Sequence, residues 1–323
     1  MTAILDIRNL RARIRGGSDR AFVIDGLDLS VGQGEVVALV GESGSGKTMT
    51  AYSILKLLPP TIEVVGGEIS LGGSDVLGMD MKALRAVRGT KASIIFQEPM
   101  TSLNPLMTIE RQIAEMLLVH NKASAATATA RVIELLELVR MPDARRRAKQ
   151  YPHNLSGGLR QRAMIALALA CEPRLLIADE PTTALDVTIQ QQILKLLLEL
   201  RDRLGMAILL ITHDLGVVAE TADRVAVMYA GRVVEQGPVV DLLEAPRHPY
   251  TSGLLACLPT EDADLRDRLT EIPGLPPQPG SILQGCSYAP RCPRRTEICL
   301  AEAPAVRDDG VSQFACHHPW IGP

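Results

Sequence analysis

The run Val36-Val37-Ala38-Leu39-Val40-Gly41-Glu42-Ser43-Gly44-Ser45-Gly46-Lys47-Thr48 decides the fold. Five apolar residues read as a buried strand and enter a loop that fits G-x-x-x-x-G-K-[ST] at every fixed position. From Met49 to Leu58 no Gly or Pro interrupts a helix-forming stretch, so strand, loop and helix follow in the order that a phosphate-binding loop needs. The backbone from Gly41 through Ser43, Gly44, Ser45 and Gly46 is free to approach anionic oxygens, and its N–H groups and the helix N-terminus supply positive potential. Lys47 is placed to reach terminal phosphates and Thr48 to ligate Mg²⁺. A nucleoside triphosphate is the expected ligand.

Working outward, 323 residues suffice for two or three core-forming units, and 46% hydrophobic content with a formal net charge of −3 describes a globular chain with no overall attraction to nucleic acid or an anionic membrane. Aromatics at 3% argue against a base-stacking platform. No apolar run reaches the roughly 18–20 residues that span a bilayer, and the first residues carry no signal-peptide pattern, so a cytosolic chain is expected.

Before the loop, Ile4–Leu10 and Phe22–Val31 read as strands of an antiparallel layer. Phe22, the one aromatic in this region, is either a buried strand residue or a ring that stacks on a base. Gly66–Leu71 and Ala92–Gln97 read as further strands, which places Gln97 at a strand end, where open parallel sheets meet ligands. Thr108–Val119, Ser124–Val139 and Gly157–Ala170 carry helical patterns and form an expected insert. Its last helix opens with Asn154-Leu155-Ser156-Gly157-Gly158-Leu159-Arg160-Gln161-Arg162, where Ser156 suits an N-cap and the N–H groups behind it suit a phosphate. Leu175-Leu176-Ile177-Ala178 then delivers Asp179 and Glu180 at a strand end, the first suited to a metal and the second to a water. Ala184-Leu185-Asp186 precedes a helix at Val187–Leu204, and the apolar run Ala207–Thr212 ends at His213. These are three strand ends in succession, each carrying a group suited to phosphate chemistry.

In this order GESGSGKT (41–48), Gln97, LSGGLRQR (155–162), LLIADE (175–180), ALD (184–186) and His213 resemble the ATP-binding subunit of an ABC transporter. The resemblance covers nearly all of residues 1–240; Leu159 departs from it, since Gln or Met is common there. It implies an α/β fold with a P-loop NTPase core at 1–97 and 172–240, an antiparallel β layer, a helical subdomain at 98–171 and a C-terminal extension at 241–323. It assigns Gly41, Ser43, Gly44, Ser45, Gly46, Lys47 and Thr48 to the phosphate loop. Asp179, with Thr48 and Gln97, is assigned to Mg²⁺, and Glu180, Gln97 and His213 to ATP hydrolysis. Ser156, Gly157, Gly158 and Asp186 are assigned to the ATP held across a head-to-tail dimer. The stretches Glu244–Leu255, Ile272–Pro277 and Gly285–Pro293 resemble the extension of oligopeptide/dipeptide importer ATPases, nickel importers having similar tails. The implied partners are a second ABC ATPase, identical or paralogous, two membrane permease subunits and, indirectly, a substrate-binding protein. The implied location is peripheral, on the cytoplasmic face of the cell membrane. A soluble ABC ATPase acting on DNA or ribosomes would call for coiled-coil heptads, a tandem cassette or a basic face, and the sequence offers none of these.

Cys286, Cys292, Cys299 and Cys316 lie in a Pro- and Gly-rich stretch too poor in apolar residues to build its own core. A metal staple is the reading that a reducing compartment favours over disulfides. Chemistry leaves zinc and a [4Fe–4S] cluster open, because paired C-x-x-C knuckles and ferredoxin spacings are both missing. The resemblance to peptide-importer ATPases, whose tails carry such a cluster, points to iron–sulfur. His317 and His318 beside Cys316 read as solvated neighbours, with a ligand role as the alternative.

Overall fold

The structure, a computed structural model, describes residues 3–18, 20–98, 102–183, 185–258, 271–279, 281 and 284–320. In chain order the elements begin with β1 (Ala3–Ile14), β2 (Phe22–Gly32), β3 (Val36–Val40), α1 (Lys47–Ile54), β4 (Ile62–Leu71), β5 (Ser74–Asp75), α2 (Met81–Val87) and β6 (Ala92–Ile95). Next come α3 (Ile109–Val119), α4 (Ala128–Leu138), α5 (Ala144–Ala148), α6 (Gly157–Leu169), β7 (Leu175–Asp179), α7 (Val187–Leu204) and β8 (Ala207–Thr212). The chain closes with α8 (Leu215–Thr221), β9 (Arg224–Tyr229), β10 (Arg232–Pro238), α9 (Val239–Glu244), α10 (Pro249–Ala256), α11 (Glu297–Ala301), β11 (Arg307–Asp308) and β12 (Gln313–Phe314). The contacts divide the chain into two compact units, one made of residues 1–5, 31–35 and 70–211 and the other of 6–30, 36–69 and 212–323.

The first unit is built on β7, paired in parallel with β6 on one side and β8 on the other. All residues of β7 and β8 are buried, as expected of central parallel strands covered on both faces. Beside them α3, α4, α5 and α6 pack on one another through Ile109, Ile113, Leu117, Val132, Leu136 and Ala163. The expected helix at Ser124–Val139 begins four residues later: Ser124 N–H donates to Thr127 Oγ1 at 3.0 Å, closing a turn in place of helix. The short helix α5 comes from Ala-Arg-Arg-Arg-Ala, whose charges hide a buried face limited to Ala144 and Ala148. Further on, α7 starts at an Asp186 cap and stops at Gly205 in the left-handed region (φ 63°), with Ile193, Leu194, Leu196, Leu197 and Leu200 turned inward.

In the second unit β3 pairs in parallel with β9, β9 with β10 antiparallel, and β10 with β12 antiparallel. A further layer runs in the order β2-β1-β4. The core around Val40, Val227 and Val234 continues without a break into Tyr250 and Tyr288, so the C-terminal extension shares the hydrophobic core of the strand that leads into the phosphate loop.

Candidate functional site

Two glycines shape the loop that follows β3. Gly41 sits at φ 153°, where an added Cβ would lie 2.1 Å from the Met228 carbonyl oxygen, and Gly46 at φ 108°, where it would lie 2.5 Å from the Val23 carbonyl oxygen. Neither place admits a side chain. Between them Ser43 and Gly44 are exposed, while Ser45 is buried with a hydroxyl that has no hydrogen-bond partner among the described residues. Lys47 is buried and its Nζ donates to Gly41 O at 2.8 Å and Glu42 O at 3.0 Å, which folds the ammonium back over the loop. No acidic residue stands in the first turn of α1, so its N-terminal potential stays positive toward the loop, and half-buried Thr48 follows directly. The loop has the backbone freedom, the cation and the orphaned hydroxyl that a polyphosphate fits. Phe22 is half-buried and opens with Gly44 onto a cavity that Arg20, Gly231, Gln278 and Gln284 also line.

In the first unit, Asp179 ends β7 fully buried. Glu180 follows in the left-handed region (φ 46°), its N–H donating to Ile211 O at 2.9 Å. That conformation swings the side chain back to the end of β6, where Glu180 Oε2 accepts from Gln97 Nε2 at 2.7 Å and from Thr183 Oγ1 at 2.9 Å. Two strand-end residues singled out in the sequence are thus in contact, and the glutamine amide orients the carboxylate. Asp186 acts as the cap of α7, accepting from Ile189 N at 2.9 Å; its neighbour Ala184 lies outside the described residues.

Ser156 holds the N-cap position of α6, where the sequence puts it, and its hydroxyl makes no capping bond. Gly157 and Gly158 lie against α7 and its approach: added Cβ atoms would meet Leu185 Cδ2 at 3.4 Å and Ile189 Cγ2 at 3.0 Å. The arginines of LSGGLRQR anchor the helix, Arg160 Nε donating to Pro152 O at 2.8 Å and Arg162 NH1 to Val139 O at 2.7 Å. In the second unit, His213 is exposed beyond the end of β8, just before Asp214, which caps α8 by accepting from Gly216 N at 2.9 Å.

Strand β10 and the extension that follows it hold residues that sequence reasoning missed. Glu235, fully buried at a β10 irregularity, accepts from the N–H groups of Arg247 at 2.6 Å and His248 at 2.9 Å, and burial pushes its carboxyl up. Burial pushes the His248 imidazole down to about 3, so it is neutral, and its Nδ1 accepts from Tyr250 N at 3.0 Å to cap α10. Arg-His-Pro-Tyr thereby becomes a rigid corner that aims the Tyr250 hydroxyl at the phosphate loop, where it accepts from Glu42 N at 2.9 Å. Arg291 joins it: NH1 donates to Glu42 Oε2 at 2.7 Å and NH2 to Glu42 Oε1 at 3.1 Å. The only sequence clue was a Pro-rich tail, which says nothing of where Arg291 points.

Cys286, Cys292, Cys299 and Cys316 line a single cavity together with His248, Tyr288, His317 and His318. All are free thiols, and burial pushes up the thiols of Cys286 and Cys292 and carries that of Cys316 to about 11. Among the described residues no group of three or more His, Cys, Asp or Glu forms a site that could hold a metal ion. The two imidazoles are engaged elsewhere, His318 Nε2 with Thr296 Oγ1 at 2.7 Å and His317 Nε2 with Glu302 O at 2.9 Å.

Residues 24–183 match the family ABC transporter, and residues 234–299 match the Oligopeptide/dipeptide transporter, C-terminal region. A probable peptide ABC transporter ATP-binding protein of Sinorhizobium fredii is 50% identical over 306 residues, 94% of this chain and 91% of that protein. An oligopeptide transport ATP-binding protein of Bacillus subtilis is 47% identical over 307 residues, 95% and 93% of the two chains. Among solved structures, a dimeric ATP-binding cassette in a post-hydrolysis state with ADP and Pi superposes with TM-score 0.65 at 27% identity, over 73% of this chain and 98% of that one. A component of an ABC transporter complex from Clostridium perfringens gives 0.64 at 28%, over 76% and 92%. Cassette and tail are thus matched together along nearly the whole length, and the chain belongs to the family of ABC transporter ATP-binding proteins.

Proposed function

We propose that the chain is the ATP-hydrolysing subunit of an importer for dipeptides or oligopeptides. The observation that carries this reading is a cassette whose phosphate loop is joined, through Glu42, to a C-terminal region of the oligopeptide/dipeptide type. The relatives near half identity are named for peptide import, which supports the cargo.

In this reading the loop from Gly41 to Gly46 and Lys47 bind the phosphates of ATP, while the oxygens of Thr48, Gln97 and Asp179 are the donors for Mg²⁺, which neutralises phosphate charge when bound. Glu180 takes the proton of the attacking water, oriented by the amide of Gln97, and His213 supports hydrolysis at the terminal phosphate. Ser156, Gly157, Gly158 and Asp186 face the ATP of a second ATPase in a head-to-tail dimer. The segment 98–171 is the helical subdomain and meets one of two permeases; 1–97 with 172–240 forms the core, and 241–323 the extension. A substrate-binding protein completes the importer. Peripheral attachment at the cytoplasmic face belongs to this reading; no helix among the described residues is long and apolar enough to cross a membrane.

In this reading the four cysteines carry a [4Fe–4S] cluster of structural role, although among the described residues no three of them are set to hold a metal ion. All four line one cavity, and the resemblance to peptide-importer ATPases favours a cluster over a single tetrahedral zinc, whose site four thiolates also satisfy. A cubane spreads one thiolate to each of four iron corners.

The test of the whole reading is ATPase activity of the chain co-purified with its neighbouring permeases in vesicles. Stimulation by peptide-loaded binding protein is expected. Stimulation by nickel alone would reject the cargo, and activity indifferent to every permease would reject the transport role.

A further inference from the structure

We propose that Arg291 is a positioning residue for the phosphate loop: the C-terminal extension reaches across the chain and sets the loop's shape and charge through Glu42. The inference rests on the reading of residues 41–48 as an ATP loop.

Three parts of Glu42 are held at once. Its N–H donates to Tyr250 Oη at 2.9 Å, its carbonyl oxygen accepts from Lys47 Nζ at 3.0 Å, and its carboxylate takes two N–H groups of Arg291 at 2.7 and 3.1 Å. The Glu42 N–H lies in one peptide plane with the Gly41 carbonyl, which accepts from Lys47 Nζ at 2.8 Å, so that plane is oriented from the extension. The pair is well shielded, with side-chain exposures of 6% for Arg291 and 23% for Glu42. Burial works against the charge of Arg291, but the Glu42 carboxylate outweighs it and holds the guanidinium protonated beyond its usual range.

Arg291 has no freedom to follow a moving loop. Its Nε donates to Pro273 O at 3.0 Å and NH2 to Ile272 O at 3.1 Å, and its guanidinium lies 5.8 Å from the Tyr229 ring centre. Tyr229, Tyr250 and Tyr288 pack ring against ring beneath it. The carboxylate matters because it opens a loop meant for a polyanion. Paired, it presents little field to the phosphates; unpaired in a shielded place, it repels them and is itself poorly solvated.

The test is steady-state ATP hydrolysis and binding of a fluorescent ATP analogue by the full chain. Arg291→Ala is expected to raise the KM for ATP about tenfold or more, with a smaller change in kcat, the sign of lost ground-state binding. The double variant Arg291→Ala with Glu42→Gln removes the stranded charge and is expected to recover most of the affinity. Arg291→Lys keeps charge and stem but not the two-pronged geometry, and a rise of about threefold is expected; it serves also if the alanine variant does not fold. An unchanged KM in Arg291→Ala and Arg291→Lys, or a double variant as weak as the single, overturns the proposal and makes Arg291 a packing residue. Failure of the unmodified chain to bind ATP would strike the ATP reading itself, a separate outcome visible before any variant is made.

Discussion

Replacing Glu180 by glutamine isolates charge from shape. Both hydrogen bonds made by Gln97 and Thr183 fall on the same oxygen, Oε2, at 2.7 and 2.9 Å. A glutamine with its amide oxygen in that place keeps both donors, and its backbone keeps the φ of 46° that Glu180 already has. What changes is that two charge-assisted bonds become neutral ones, a cost of about 1 kcal/mol each, so the melting temperature should fall by no more than about 5 °C. The hydrolytic effect is much larger. Loss of a positioned general base removes roughly 10²–10⁴ in rate, about 3–5 kcal/mol of barrier. Phosphate release in a single turnover, measured beside binding of a fluorescent ATP analogue, separates the two: binding near wild type and release slowed at least a hundredfold are expected. Glu180→Ala, which loses both bonds, should melt lower than the glutamine variant at similar residual activity. Phosphate release at the wild-type rate from ATP-loaded Glu180→Gln would refute the assignment, and so would loss of ATP binding with the fold intact.

His213→Ala should slow hydrolysis about tenfold or more with ATP affinity unchanged, because the residue is exposed and its removal leaves no buried gap; a large loss of binding in the same assay contradicts that role. Gly41→Ala should cost more than about 2 kcal/mol of stability and abolish nucleotide binding, since its Cβ would stand 2.1 Å from a backbone oxygen; a near-native melt and normal binding would disprove the close approach. Anaerobically purified protein should contain about four iron and four sulfide per chain and be brown, and replacement of Cys299 by serine should lower both; colourless protein with one zinc per chain rejects the cluster.

The turn from β3 into the glycine-rich loop and the strand ends that carry Gln97, Asp179 and Glu180 were legible because each is a local pattern: an apolar run fixes a buried strand, and the polar residues follow directly. The helices of the first unit were legible for the same reason, from periodicity, with errors where side chains compete with the backbone, as at Thr127, or where charges cover a small buried face, as in α5. The hairpin of β9 and β10 was not read, although Arg224–Pro238 is strand-like, because the apolar residues alone do not say which strand they join; β9 runs beside β3. Nothing local could show that the Ser156 hydroxyl makes no capping bond, since capping propensity describes an isolated end and the glycines behind it are packed against α7 and its approach.

The extension shows the limit most clearly. Glu42 and Arg291 stand 249 positions apart, and neither is unusual in its own neighbourhood: one is a variable position of a phosphate loop, the other an arginine in a Pro-rich tail. Their pairing depends on a chain of supports. Buried Glu235 fixes the backbone at Arg247 and His248, neutral His248 caps the helix that carries Tyr250, and Tyr250 packs on Tyr229 and Tyr288 while its hydroxyl meets the loop. Within that frame the turn from Tyr288 to Cys292 carries both Arg291 and a wall of the four-cysteine cavity. The guanidinium that holds Glu42 and a wall of the four-cysteine cavity therefore stand on one short segment of backbone. A change in that turn reaches Glu42 through a single guanidinium whose other bonds are to the Pro273 and Ile272 carbonyls and the Tyr229 hydroxyl, so the tail is a structural part of the phosphate loop.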